Sequence, residues 1–256
     1  MPTASRRPKT RVRALTVVAG PRFAIYFVPV AGSALYRFGA SLLGYDCYTG
    51  EDVERPRDGG LTRAEWAALT AEPRRYGFHA TLKAPFRLKP ELDHEDLLAC
   101  MRSLAASIST VPAFEPAVGL IGEFVAIVPA AAAPALDQLA ADCVTAFERF
   151  RLPLTAQERD RRLAAGLSPR EAANLDRFGY PYVLDEFRFH MTLTGRIAPD
   201  RRAAIHALLQ SAFGKACGHG TVRLNRLALA RQDHPDGAFR VIGHAALRQA
   251  GSTRPA

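Results

Sequence analysis

The sequence predicts an α+β protein built from two lobes, in which antiparallel sheets carry helices on one side. A His-x-Thr pattern occurs twice, as His79–Thr81 and as His190–Thr192, 111 residues further along. Each copy is followed by a short link, an amphipathic helix and further β structure, which indicates an internal repeat. Neither common type of glycine-rich phosphate loop is present, and this disfavours a Rossmann fold.

Helix boundaries in the first half follow from capping residues. Ser33 is a preferred N-cap residue, and Gly44 suits the end of the helix that Ser33 begins. Thr62 and Glu65 have the spacing of a capping box, which opens a short helix. Amphipathic stripes define the two longer helices. The predicted elements are a strand over 22–29, a helix over 33–43, a loop over 50–60, a helix from 62 to about 71 that is followed by Pro73, a His79 strand that ends near Pro85, a helix over 93–107, two strands or one bent strand within 117–128, and a helix over 134–150.

The second half begins with a polar segment, 155–178, that contains two further capping boxes. This composition predicts a short helical hairpin, which we interpret as an insertion or a lid. The elements predicted after it are the His190 strand over 186–196, a helix over about 200–213 that stops at Gly214, and closing strands over 221–231 and 238–247 around a turn at 234–237.

Size and composition are those of a folded enzyme-sized domain. The chain has 256 residues, of which 48% are hydrophobic and 23% charged, and we predict one bilobal domain over 21–250. No apolar run is long enough to cross a membrane. The four cysteines are far apart and lack metal-site or disulfide spacing, so we predict a cytoplasmic protein without metal or cofactor.

The positive charge of the chain is concentrated at its beginning. The formal net charge is +9, and five of these charges lie in residues 1–20, which contain no acidic residue. We interpret this tail as a disordered leader or as an extension from an upstream start codon. A nucleic-acid-binding arm is the alternative. The basic excess outside the tail is modest and is weak evidence for a polyanionic partner.

The two His-x-Thr copies carry the residue types that phosphodiester hydrolysis needs. Because side chains alternate along a strand, each copy puts its histidine and threonine on one face and its apolar neighbours on the other. A neutral imidazole can accept a proton from water, and a protonated imidazole can donate one to the leaving oxygen. The threonine hydroxyls can donate hydrogen bonds to phosphate oxygens in the transition state. Neither step needs a metal.

The longer strings around both copies resemble a known superfamily. Arg75–Phe86, RYGFHATLKAPF, and Phe187–Arg196, FRFHMTLTGR, are similar to the paired motifs of the 2H phosphoesterases. That superfamily includes the bacterial 2′-5′ RNA ligase-like proteins and cyclic phosphodiesterases. The strings look closest to a branch associated with phosphonate operons, the DUF1045-like family. The resemblance covers about residues 22–248.

The resemblance implies a pseudo-twofold fold with both motifs in a central groove, and metal-independent hydrolysis of a cyclic phosphodiester. By motif position, His79 and His190 would be the acid/base pair, and either could be the base. Thr81 and Thr192 would bind the phosphate.

Several residues close to the motifs are further candidates for the substrate groove. Lys83 would share the strand face of His79 and Thr81, and could add a positive charge near the phosphate. The other candidates flank the two motifs; they are Tyr76, Arg188 and Arg196. Tyr180 and Tyr182 could stack on a base or a sugar, although packing in the core or lid is the alternative.

Three functions are compatible with these features. The first is a hydrolase of a small cyclic or ribose-linked phosphodiester, with phosphonate metabolism as the candidate pathway and a small phosphorylated substrate as the partner. The second is an RNA 2′-5′ ligase or an enzyme that processes cyclic phosphate ends of RNA, which would need a long basic groove with exposed aromatic residues. The third is a non-catalytic phosphate- or nucleotide-binding module, which the two intact His/Thr pairs disfavour.

Overall fold

The computed structural model describes residues 20–56, 60–108 and 112–247. The predicted basic tail lies outside the described residues, apart from Gly20. In the described part, the helices are α1 (Ala34–Leu43), α2 (Arg63–Arg74), α3 (His94–Ser107), α4 (Pro134–Glu148), α5 (Ala156–Leu163), α6 (Pro169–Phe178) and α7 (Arg202–Cys217). The strands are β1 (Arg22–Phe27), β2 (Ala80–Arg87), β3 (Ala113–Phe114), β4 (Pro116–Ile121), β5 (Phe124–Pro129), β6 (Met191–Thr192), β7 (Val222–Arg223), β8 (Arg226–Gln232) and β9 (Arg240–Ala246).

Seven of these strands form one antiparallel sheet, in the order β4-β5-β6-β2-β1-β8-β9. β3 and β7 form a separate two-stranded sheet. The prediction of an α+β fold with antiparallel strands is therefore confirmed. β2 and β6 pair through Ala80 and Met191, and this pairing joins two groups of strands into the one sheet. This pairing leaves no free edge between the two groups.

Helices pack on both groups of strands. α3 lies against β8 and β9, α4 lies against β2, and α7 lies against β4. The predicted helical hairpin is present as α5 and α6, and both helices begin with the capping boxes that the sequence indicated. A small hydrophobic cluster of Val144, Phe178 and Val183 attaches the end of α6 to α4. No helix in the described residues is long and apolar enough to span a membrane.

Helix α1 approaches the first motif closely at a glycine. Ser33 caps the helix through the Tyr36 amide, and Gly44 ends it in a left-handed conformation, as predicted. Within the helix, a Cβ on Gly39 would lie only 2.1 Å from the buried ring of Phe78. The glycine therefore allows α1 to pack directly on the residue that precedes His79.

Helix α2 extends further than predicted, because a residue close to the second motif compensates for the proline inside the helix. The helix continues to Arg74 with Pro73 in its last turn. Pro73 has no N–H to donate to the carbonyl of Leu69. That carbonyl instead accepts a hydrogen bond of 2.7 Å from the amide of Gly195, just beyond β6. The proline is tolerated because a residue from another element replaces the missing donor.

Two further boundaries differ from the prediction. Helix α7 continues through Gly214 to Cys217, and Gly218, with a φ of +63°, ends it instead. A glycine inside a helix costs only about 1 kcal/mol, so Gly214 does not force a stop. The second His strand is reduced to the two residues of β6, because the amides of Leu193 and Thr194 both donate to the carbonyl of Val125 and regular pairing ends there.

Lys83 does not share the face of His79 and Thr81, which corrects its assignment to the groove. The register of β1 and β2 shifts between Thr81 and Lys83, so that Leu82 is an additional residue and the alternation reverses. The side chain of Lys83 points toward α4 and is only 2% exposed. Its Nζ lies 2.5 Å from Glu148 Oε2 and donates to the carbonyl of Val144 at 3.3 Å.

This buried ion pair leads to a prediction for stability. Burial lowers the pKa of Lys83, and the hydrogen bond and charge of Glu148 raise it again. The Glu148→Gln substitution leaves a buried ammonium without its carboxylate, and we expect the free energy of unfolding to fall by roughly 3 kcal/mol in urea denaturation. Lys83→Met, which removes the cation and keeps most of its volume, should cost less. In the Lys83→Met background, Glu148→Gln should have a much smaller effect, and equal costs in both backgrounds would contradict this role of the pair.

Candidate active site

His79 is held by its own strand and by an aromatic neighbour. Its Nδ1 donates to the carbonyl of Gly77 at 2.9 Å, which leaves Nε2 as the acceptor in the neutral ring. The hydroxyl of Thr81 lies 3.1 Å from Nε2 and can donate to it. The ring of Tyr26 stacks on the imidazole with a centroid distance of 3.7 Å. Nε2 is therefore fixed in position beside the threonine of the same motif.

His190 repeats the key part of this arrangement. Its Nδ1 donates to the carbonyl of Arg188 at 2.7 Å, again two residues upstream. Its Nε2 is therefore also the acceptor in the neutral ring. The ring of Phe124 lies 5.7 Å from the imidazole and is tilted to it by 54°, so it does not stack on His190 as Tyr26 stacks on His79.

The pairing of β2 with β6 places the two motifs across from each other. Ala80 is opposite Met191 in an antiparallel register. Continued by one residue on each side, this register puts His79 opposite Thr192, and Thr81 opposite His190. Because alternate side chains share a face, both histidines and both threonines lie on the same face of the sheet. Each histidine thus faces the threonine of the other motif.

Two adjoining cavities lie over this face. A cavity of about 730 Å³ is lined by His79, Thr81 and Thr192, and a second one of about 570 Å³ is lined by His190 and Thr81. His190 is therefore not in the same cavity as His79. The residues that line both cavities are Thr81, Ala84, Ile121, Phe124, Tyr180 and Arg188. Volumes of this size suit a small organic ligand.

Burial keeps both imidazoles neutral in the absence of ligand. Desolvation lowers the pKa of His79 to about 4, the hydrogen bond to the Gly77 carbonyl opposes this change, and the charge of His190 adds to it. Desolvation also lowers the pKa of His190, against the hydrogen bond to the Arg188 carbonyl. The charge on one ring thus affects protonation of the other. An anion bound between the rings would raise both pKa values again.

These shifts predict that the protein loses stability in mild acid. Because the folded pKa of His79 lies below that of the unfolded chain, the stabilisation is complete above about pH 6.5 and is lost as the pH falls toward 4. His79→Gln, which cannot take up the proton, should reduce this loss by roughly 3 kcal/mol, measured as the difference between denaturation free energies at pH 7 and pH 4. The exposed His244 is the matched control, and His244→Gln should lose stability like the parent. If His79→Gln did so too, burial of a neutral His79 would be wrong.

The structure brings most of the predicted groove residues to these cavities. Tyr76 and Arg196 line the cavity of His79, and Arg188 lines both cavities. Arg196 is exposed, and its guanidinium lies 3.4 Å from the carboxylate of Glu123. Tyr180 lines both cavities, whereas Tyr182 lines that of His190 and is 46% exposed. Lys83 lies outside, as described above.

Four residues at this site were not identified from the sequence. Tyr26 lies in the first strand, where all five residues from Phe23 to Phe27 are buried, so no alternation distinguishes it. Gly77 has a φ of +72°, and only its place two residues before His79 could have indicated a role. Arg22 and Arg162 also line the cavity of His79. They are 140 positions apart in the sequence, and no local pattern connects them.

Residues that could bind a metal do not cluster in the described part of the chain. No group of three or more histidine, cysteine, aspartate or glutamate side chains there has the geometry of a metal site. The four cysteines are unpaired, and Cys100 and Cys143 are buried, as their place on apolar helix stripes indicated.

An antiparallel α+β fold with its His-x-Thr residues on one face matches one protein family. The model of that family, described as protein of unknown function (DUF1045), matches residues 81–240, so the match begins at Thr81 and includes His190 and Thr192. The chain belongs to the DUF1045 family, and the predicted membership of this branch is confirmed.

Two curated relatives carry the same name. The chain is 37% identical over 221 residues to a ribose 1,5-bisphosphate phosphokinase PhnN of Janthinobacterium sp., covering 85% of this chain and 49% of the relative. It is 32% identical over 241 residues to a protein of that name from Laribacter hongkongensis, covering 91% of this chain and 53% of the relative. The chain spans about half the length of these curated relatives.

Solved structures show a looser likeness. A conserved protein of unknown function from Agrobacterium tumefaciens is 15% identical, with a TM-score of 0.41 and coverage of 88% of this chain and 85% of that one. A protein described as a phosphoesterase is 16% identical, with a TM-score of 0.37 and coverage of 90% of this chain and 100% of that one.

Proposed function

We propose that this chain is a metal-independent phosphodiesterase that hydrolyses a small cyclic or ribose-linked phosphodiester by acid–base catalysis with His79 and His190. The observation that supports this function best is the crossed arrangement of the two motifs, in which each histidine lies opposite the threonine of the other. In both rings, Nδ1 is held by the carbonyl two residues upstream, so Nε2 is the nitrogen that faces the ligand.

The hydrolytic step requires one proton acceptor and one proton donor. The acceptor takes a proton from water as the water oxygen bonds to phosphorus, and the donor protonates the leaving oxygen as its bond to phosphorus breaks. We assign His79 as the base, since desolvation beside Tyr26 lowers its pKa to about 4 and keeps it neutral. His190, without such close stacking, is then the acid: an anionic substrate raises its pKa, so that it takes up a proton from solvent before the leaving oxygen is protonated. The protons return through solvent after each turnover.

The threonines complete the proposed site. Thr81 and Thr192 donate hydrogen bonds to the non-bridging oxygens of the phosphate, which carry the additional negative charge of the transition state. Thr81 suits this role because its side chain lines both cavities.

We also propose that the chain arose from an internal duplication around a pseudo-twofold axis between β2 and β6. The repeated His-x-Thr pattern and the repeated hydrogen bond from Nδ1 to residue i−2 support this relationship. The crossed His/Thr pairs also support it, because a twofold axis between the strands exchanges His79 with His190 and Thr81 with Thr192.

The names of the relatives support a phosphorylated sugar as the substrate. Both relatives are named for a reaction of ribose 1,5-bisphosphate, a pentose with two phosphate groups. The kinase reaction itself is not proposed for this chain, which covers about half of each relative and contains no P-loop sequence. A ribose cyclic phosphate fits both this chemistry and the association of the DUF1045-like branch with phosphonate metabolism.

A substrate screen tests the proposed function. The purified protein is incubated with nucleoside 2′,3′-cyclic phosphates and with ribose 1,2-cyclic phosphates, and monoester products are detected by ³¹P NMR. We expect turnover of at least one of these compounds, and EDTA should leave the rate unchanged. Reversible loss of activity on chelation would contradict the metal-independent mechanism. Binding without turnover across the series would contradict hydrolysis and favour the binding module.

The aromatic pair near the second motif is the observation that favours the RNA alternative. The rings of Tyr180 and Tyr182 meet edge to face at 5.6 Å, and Tyr182 is exposed, so both could contact bases. The same assay decides between the functions when RNA with a 2′,3′-cyclic phosphate end is included. A preference of more than about tenfold in kcat/KM for the oligonucleotide over the mononucleotide would favour RNA-end processing.

A further inference from the structure

A basic region continues from the cavity of His79, away from His190. Arg22 and Arg162 line that cavity and also a neighbouring one of about 270 Å³, which contains no residue of either motif. The two cavities therefore meet at these two guanidinium groups. A ligand at His79 could extend to them without leaving the groove.

Arg22 is held in place by neighbours that do not neutralise it. Its Nε donates to Gln232 Oε1 at 2.7 Å, and its guanidinium lies 5.5 Å from the centre of the Phe239 ring. Gln232 is itself buried and donates to the carbonyl of Gly237 at 2.7 Å. The guanidinium is thus fixed before a ligand arrives, which lowers the entropy cost of binding.

Arg162 faces the same region and also lacks a carboxylate partner. One of its terminal nitrogens donates to the carbonyl of Gly179. Burial and the positive charge of Arg22 both lower its pKa, whereas Glu158 opposes them. Glu158 itself is bound to Arg87 at 2.6 Å. Among the described residues, neither Arg22 nor Arg162 forms an ion pair within 4 Å, and Glu158, which acts on Arg162 from a greater distance, is engaged by Arg87.

The hydroxyl of Tyr26 is a third polar group in the cavity of His79 that a ligand could contact. Tyr26 is 1% exposed, and its hydroxyl has no hydrogen-bond partner in the described part of the protein. A buried hydroxyl without a partner costs free energy, which a polar ligand would recover. Tyr26 lines the cavity of His79 together with Arg22 and Arg162.

We propose that Arg22, Arg162 and the Tyr26 hydroxyl form a binding site for a second anionic group of the substrate, a phosphomonoester. The proposal rests on the proposed function and narrows it: the substrate is the cyclic phosphodiester of a sugar that also carries a terminal phosphate. A phosphomonoester suits the site because it has close to two negative charges and several acceptor oxygens for two guanidiniums and a hydroxyl. The cyclic phosphate then lies at the histidines, and the sugar lies between the two subsites beside Tyr76.

The test compares two matched substrates in the full chain. Ribose 1,2-cyclic phosphate and its 5-phosphorylated form differ only in the group that the subsite would bind. We expect the parent to prefer the 5-phosphorylated compound in kcat/KM. Arg22→Gln and Arg162→Gln should each reduce this preference by about 10- to 100-fold, mainly through KM. Arg102→Gln, an exposed residue of α3 outside both cavities, changes the net charge equally and should leave the preference as it is in the parent.

The outcomes separate this inference from the proposed function. Turnover of both compounds without a preference, or a preference that Arg162→Gln leaves intact, would overturn the second subsite while hydrolysis stands. If no cyclic phosphate is hydrolysed, binding of ribose 5-phosphate and ribose is measured by calorimetry. Binding of the phosphorylated sugar that weakens in Arg22→Gln and Arg162→Gln would support the subsite without the hydrolase. Equal binding of both sugars would overturn the subsite as well.

Discussion

The His79→Ala and His190→Ala substitutions are each expected to lower kcat for a cyclic phosphodiester by about 10²- to 10⁴-fold, with the fold retained. Each imidazole supplies one proton transfer, and no other described residue is placed to replace it. Both rings are held through Nδ1 by a backbone carbonyl, so alanine removes the catalytic nitrogen and leaves the strands unchanged. Steady-state kinetics on the compound from the screen, together with circular dichroism, measure the two effects.

A second substrate distinguishes the base from the acid. An analogue with a 4-nitrophenolate leaving group needs little protonation, because this phenolate is already stable at neutral pH. His190→Ala should therefore lose much less activity on the nitrophenyl diester than on the cyclic phosphate, whereas His79→Ala should lose activity on both. The opposite pattern would reverse the assignment of acid and base.

The control for both variants is a histidine outside the groove. His244 is exposed on β9 and lines neither cavity of the motifs, so His244→Ala should have the kinetics of the parent. Parent-like rates in His79→Ala and in His190→Ala would show that catalysis does not depend on the two imidazoles.

Gly39→Ala should destabilise the protein strongly, although it adds only one methyl group. The added methyl would lie 2.1 Å from the ring of Phe78, which is fully buried and cannot move aside without displacing its neighbours. Overpacking of this kind costs about 3 kcal/mol, and we expect a loss of that size in urea denaturation. Because Phe78 precedes His79, the same substitution should reduce kcat/KM even under conditions where the protein is fully folded.

A second helical glycine provides the matched control. Gly214 lies in α7, and a Cβ there would meet nothing within 4 Å. Gly214→Ala should stabilise the protein by about 0.5–1 kcal/mol, since alanine is the better helix former. If Gly39→Ala were as well tolerated as Gly214→Ala, the close contact of α1 with Phe78 would be wrong.

Local signals in the sequence predicted much of the helical structure. Ser33 and Gly44 delimit α1, and capping boxes open α2, α5 and α6, because these features depend on residues a few positions apart. The sequence also predicted a strand at each histidine, and β2 and β6 begin directly after His79 and His190. Predictions from local sequence were wrong where a residue far away in the sequence changed the outcome. Gly195 donates the hydrogen bond that Pro73 cannot donate, so α2 continues past its predicted end.

The parts of the site that could not be predicted depend on tertiary structure. The bulge at Leu82 turns Lys83 away from the groove, and its cause lies in the pairing with β1, which strict alternation along β2 cannot show. Arg22 of β1 and Arg162 of α5 line the same two cavities, although 140 positions separate them in the sequence. That neither guanidinium forms an ion pair with a described carboxylate can be seen only from the three-dimensional surroundings of both residues.

The pairing of Ala80 with Met191 has a consequence for how the protein responds to its ligand. The two groups of strands are in register at this one residue pair of β2 and β6, directly beneath the four motif side chains. A molecule that contacts both motifs therefore connects β2 and β6 by non-covalent contacts, at the point where the sheet is joined by this one residue pair. Ligand binding should therefore also stabilise the association of the two groups of strands.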